Sequence, residues 1–158
     1  MKKNLFLQFI FLILFATQFT SLSAQKSSEK VKAEITEALS IWNAAGKKAN
    51  TDLAMEQFDN SENIMVIGSD SGEIYKGPVQ IRGWLDAIFK HNKFTWEMNR
   101  IDVDYSGNTA WVFVDGFMIV TNDKGKIRKT PYRFAGILVK KKGEWKWKLF
   151  DGSIPRGE

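Results

Sequence analysis

The carboxylates of Asp115 and Asp151 draw attention first, because each stands in an alternating run of large apolar side chains. In TAWVFVDGFMIV, residues 109–120, Asp115 keeps step with Trp111, Phe113, Phe117 and Ile119; in WKWKLFDGSIP, Asp151 keeps step with Trp145, Trp147 and Leu149 if the pleating is regular. An extended chain places each such set on one side. If both sides are concave, two acids point into one aromatic cavity. Desolvation would raise their pKa values and mutual repulsion would raise one further, leaving an acid beside a base. That pair could move a proton in an isomerisation, dehydration or cyclisation. Arg133 could stabilise the developing negative charge, or could hold one of the acids in a structural ion pair. A plainer account competes: Gly116 and Gly152 follow the two acids, and strand distortion there would turn the carboxylates to solvent.

Other chemistries are hard to build from this inventory. There is no cysteine, and the single histidine, His91, falls at the polar end of a predicted helix, where it complements the helix dipole. Nucleophilic catalysis and zinc binding therefore lack their usual side chains, and neither a metal nor another cofactor is expected. The segment GSDSGE lacks the spacing of a phosphate or calcium loop and reads as a hairpin turn. What remains is an apolar pocket for a small apolar or aromatic molecule. Its candidate lining is Trp42, Trp84, Phe89, Trp96, Trp111, Phe113, Phe117 and Trp147. Binding without conversion is the first reading; acid/base catalysis by Asp115 with Asp151 or Arg133 is the second, and a protein-interaction module is the third.

These residues need elements to position them. Lys2 and Lys3, an apolar run from Leu5 to Ala16 and the small residues SLSAQ have the order of a secretory signal peptide. The run is short for a membrane span of roughly 20 residues, so cleavage after Ala24 is expected, with no stable anchor afterwards and a periplasmic or secreted destination. Residues 25–158 then make one domain. The leader holds two of the charges behind the formal +5, leaving +3. Lysines in NDKGKIRK and KKKGEWKWK fall on predicted turns, so a nucleic-acid surface is not expected.

Val31, Ile35, Ala38, Leu39, Trp42 and Ala45 recur at helical steps, and a short helix over TDLAMEQFD should follow. NIMVIGSD and EIYKG form a small hairpin; Gly77 and Pro78 open a third helix with Ile81, Trp84, Leu85 and Ile88 on one face. After Asn92 the pattern has period two, with a change of phase that predicts a bulge near Asn99 or Arg100. Helices first and a meander second make an α+β fold with the helices on one face of a bent sheet. Ala110, Val112, Val114, Met118 and Val120 give the central strand a second apolar face. Helices cover one side, and a homodimer through the outer sheet face would cover the other.

Several of these pieces also carry a resemblance: Trp42 with Asp52 ten residues on, IGSDSGEIYKG with Gly68, Glu73 and Gly77, Ile81 and Trp84, AWVFV, Arg133, and GEWKWKLFDGSIP with Trp145, Ser153 and Pro155. In this order and spacing the chain resembles the SnoaL-like branch of the nuclear transport factor 2-like superfamily. The resemblance implies a cone-shaped α+β fold, its sheet curled around a pocket beside the helices. Members include cyclases, isomerases, dehydratases and binding proteins, so the fold leaves function open. Relatives often carry two histidines near the end of the last strand; Leu149 and Asp151 stand there instead, so no histidine role transfers.

Overall fold

A computed structural model describes residues 28–156. The expected leader and its cleavage after Ala24 lie outside them. Helix α1 covers residues 28–48, and a compact unit begins within it at Ile35 and carries all later elements. Within that unit the apolar stripe is buried: Ile35, Leu39, Trp42 and Ala45 face the sheet. Ala49 takes a left-handed φ of 49° and ends the helix.

Helix α2 is shorter than its apolar spacing predicts, Thr51–Met55. Asn50 caps it, its side-chain oxygen accepting from the Leu53 amide at 2.9 Å. The chain then leaves helical geometry because Gln57 and Asp59 bond to strand backbone: Trp147 N–H donates to the Gln57 carbonyl and Asp59 N–H to the Trp147 carbonyl. Asp59 is moored a second time. Its buried carboxylate meets Lys141 at 2.7 Å and Lys148 at 3.2 Å, and accepts from Ser61 at 2.9 Å. Burial pushes that carboxyl up, and the bonds from Lys141, Ser61 and Lys148 more than offset it, holding the pKa below the ordinary value.

Strands β1 (Met65–Ile67) and β2 (Ile74–Lys76) form the small hairpin. Helix α3 (Gly77–Phe89) starts at Gly77, whose φ of 76° suits glycine, with Pro78 in the first turn. Gln80 Oε1 accepts from the Lys76 amide at 2.9 Å, supplying the cap that Lys76 itself cannot. Four long strands follow: β3 (Asn92–Ser106), β4 (Thr109–Asn122), β5 (Ile127–Lys141) and β6 (Glu144–Ser153).

The sheet order is β2-β1-β6-β5-β4-β3, antiparallel except where β1 meets β6. The expected bulge is present: Met98 pairs with Gly116 and Arg100 with Asp115, leaving Asn99 unpaired. Gly116 sits under this bulge, where a Cβ would collide with the Glu97 carbonyl. Within the compact unit the helices pack on one face of a curved, mostly antiparallel sheet, the α+β arrangement expected. Val112, Val114, Phe134, Leu138, Trp147 and Phe150 form the core between them.

Candidate functional site

The buried row of β4 is the even-numbered one, Ala110, Val112, Val114, Met118 and Val120, and it lies under the helices. On that inner face, toward the β3 end, a cavity of about 270 Å³ opens between α1, α3 and the sheet. Trp42, Trp84, Phe89, Phe94, Trp96 and Phe150 supply its aromatic walls. Trp42 is 2% exposed and stacks on Trp96 with centroids 5.8 Å apart. The Asn43 side chain fixes that pair by bonding both backbone groups of Trp96, donating to its carbonyl at 3.1 Å and accepting from its amide at 2.9 Å. Gly46 permits the approach, since a Cβ there would lie 2.7 Å from the Phe94 carbonyl. On the α3 side, Trp84 stacks on Tyr75 at 5.6 Å and Phe89 tilts against Phe94 at 6.1 Å.

One corner of the cavity is polar. Tyr132 reaches it from β5, while Ser69, Asp70 and Glu73 come from the β1–β2 turn. The phenol is hydrogen-bonded to Ser69, and it lies against Gly152, where a Cβ would overlap its oxygen. Burial, with the negative charge of Glu73, pushes the Tyr132 pKa up to about 12 against the Ser69 bond. The Glu73 carboxylate folds over Gly68, which has no side chain to obstruct it, and accepts from the Asp70 amide at 3.0 Å. By contrast, the indole N–H groups of Trp42, Trp84 and Trp96 are covered and have no hydrogen-bond partner. The accessible polar handles are therefore the groups of the Tyr132 corner and the exposed Arg128, which also lines the cavity.

The two acids singled out in the sequence are elsewhere. Asp115 lies on the opposite, outer face, its side chain 43% exposed and 2.8 Å from Arg133, in the structural ion pair that was one of the two readings of that arginine. Strand β4 is regular at Asp115, which pairs directly with Arg133, so the neighbouring glycine does not redirect it. Asp151 is exposed on that outer face too, because β6 changes phase. Leu138 pairs with Trp147 and Ile137 with Leu149, so Lys148 is an extra residue. Regular pleating fails there: Trp145 and Trp147 point inward while Leu149 and Asp151 point outward. The condition for a shared cavity, that both rows face a concave interior, is not met, and both acids meet solvent, as the plainer account has it.

The candidate lining divides in the same way. Trp42, Trp84, Phe89 and Trp96 line the pocket. Trp111, Phe113 and Phe117 belong to the outer face, Trp111 being 47% exposed, and Trp147 is core, edge-on to Phe150 and Phe134. His91 sits at the end of α3 with Nδ1 3.2 Å from Asp123. Among the described residues no group of three or more histidine, aspartate or glutamate side chains could hold a metal ion. Sequence reasoning passed over Phe94, Phe150, Tyr132, Ser69 and Glu73 as site residues. Phe94 was available from the same alternation as Trp96; the others depend on pairing between distant segments.

This chain belongs to the SnoaL-like domain family, whose model matches residues 35–157. Solved structures share the fold. A protein of the NTF2-like family from Streptomyces avermitilis is 9% identical, with 82% of this chain and 99% of that one covered at a TM-score of 0.73. A nuclear transport factor 2 superfamily protein from Salmonella enterica is 21% identical over 82% of this chain and 94% of its own, at 0.72. A ketosteroid isomerase-like protein from Erwinia carotovora is 17% identical over 79% and 96%, at 0.64. No curated protein matches the chain.

Proposed function

We propose that this protein binds a small apolar or aromatic molecule in the pocket between α1, α3 and β3, as an exported homodimer. The observation that carries the binding reading is an aromatic-walled cavity of about 270 Å³ with a polar corner at Tyr132. A dry cavity of about 150 Å³ accommodates benzene, so this one has room for a bicyclic ring system. Export rests on the order of charged, apolar and small residues in the leader.

Mass spectrometry under denaturing conditions is expected to release a small apolar molecule from the purified protein, or the emptied protein to bind 1-naphthalenemethanol. Asp115→Asn should change that affinity less than twofold, because Asp115 stands across the sheet from the pocket. The absence of both a released molecule and uptake of the probe would contradict the reading.

The outer face supports the dimer. Trp111, Phe113, Ile137 and Leu149 line a shallow groove there. Beside it Arg133 pairs with Asp115, Lys129 with Glu97 and Arg100 with Asp102, and Lys129 also covers the Phe117 ring at 4.4 Å. Asp104 and Asp151 line the groove as well, so a two-fold contact would centre on the apolar side chains and leave these carboxylates at its solvated rim. Light scattering at micromolar concentration should give twice the chain mass, and Trp111→Lys should halve it. A monomeric wild type overturns the dimer and leaves the pocket untouched.

A further inference from the structure

We propose that the pocket selects a ligand carrying a protonated amine, with the ammonium group at the Glu73 corner and the apolar body between the tryptophans. The proposal rests on the reading of the cavity as a ligand site and adds the charge of what enters it. Three observations favour a cation.

The aromatic walls offer no donor to an anionic group. Trp42, Trp84 and Trp96 stand on this wall with Phe89 and Phe94. Their indole N–H groups are covered, so the walls suit the apolar body of a ligand and cannot hold a carboxylate.

Glu73 has acceptor capacity to spare. A carboxylate has about four lone-pair sites. This one is half-buried and accepts a single backbone bond, from Asp70, and no ion pair to a basic side chain is formed among the described residues. A charge-assisted bond to an ammonium would satisfy it.

Two carboxylates, Asp70 and Glu73, line this corner. Glu73, Asp151 and Asp70 all act on the Tyr132 oxygen in the sense that disfavours a further negative charge. Arg128 lines the pocket as well, exposed and four residues along β5 from Tyr132, and forms no ion pair with Glu73. At a rise of about 3.3 Å per residue the two backbone positions are roughly 13 Å apart. An anionic head placed at the polar corner would find Tyr132 and Ser69 as donors beside an unneutralised carboxylate. An ammonium finds Glu73 directly.

Three probes of matched shape separate the possibilities by titration calorimetry at pH 7: 1-naphthylmethylamine, 1-naphthalenemethanol and 1-naphthoate. The amine is expected to bind at least tenfold more tightly than the alcohol, and the carboxylate most weakly. Glu73→Gln keeps an acceptor for the Asp70 amide and should erase the advantage of the amine while leaving the alcohol unchanged. If the wild type binds the alcohol or the carboxylate as tightly as the amine, or if Glu73→Gln retains the preference, the charge selection is wrong and the pocket reading stands. If no probe binds, both fail.

Discussion

Trp42→Ala is expected to lower the stability of the fold by about 3–5 kcal/mol, the cost of removing a buried tryptophan whose neighbours cannot close the space. Its indole stacks on Trp96 and meets Phe58, Trp147 and Phe150 at centroid distances of 5.6, 6.3 and 5.6 Å. Helix α1, strand β3 and strand β6 thus share one side chain, and no single rotamer change can refill four contacts at once. Urea denaturation should show a lower midpoint with an unchanged slope. Asp115→Asn supplies the contrast. Its ion pair with Arg133 is about half exposed on both sides, so solvent screening limits its worth to under about 1 kcal/mol. Equal losses from the two substitutions would show that the inner aromatic cluster does not organise the fold.

Alkaline pH is expected to produce the second large effect, through Tyr132. This phenol is 7% exposed, and its pKa in the folded protein lies near 12 against a reference of 10.0. The folded value is raised, so the favourable contribution is complete below pH 10 and is lost as pH climbs from about 10 to 12. Its size, two pH units, corresponds to roughly 3 kcal/mol. Tyr132→Phe should flatten that part of the stability profile, and should remove a late component near pH 12 from the phenolate absorbance titration. The same late component in wild type and variant would place Tyr132 in water, contrary to the packing of its ring against Gly152.

The sequence was most legible where the signal is local. The helical stripe from Ile35 to Ala45, the Gly77–Pro78 start of α3 and the bulge at Asn99 were all readable, because each is a change of period or a special residue within a few positions. Strand β4 was legible as a strand and illegible as to side. Both of its faces are apolar, and only packing decides that the smaller row, Ala110, Val112 and Val114, turns inward, where it leaves room for Trp42, Phe134 and Trp147. The phase change at Lys148 was hidden for a related reason. WKWKLF alternates plausibly on either register, and the inward pair Trp147 and Phe150 stands three positions apart instead of two. Those two ambiguities are why the sequence left open whether Asp115 and Asp151 share a cavity or meet solvent. The polar corner was out of reach altogether, since Ser69 and Tyr132 are more than sixty residues apart and are brought together through the β1–β6–β5 pairing.

The central claim, that the inner aromatic pocket is the binding site, is tested most directly by the indole N–H signals in a heteronuclear NMR titration. Six tryptophans report from known places: Trp42, Trp84 and Trp96 around the pocket, Trp145 and Trp147 in the core, and Trp111 on the outer face. Saturating 1-naphthylmethylamine should shift the signals of Trp42, Trp84 and Trp96 and leave Trp111 in place. A shift confined to Trp111, with the three pocket indoles unmoved, would contradict the account and move the binding site to the other face of the sheet.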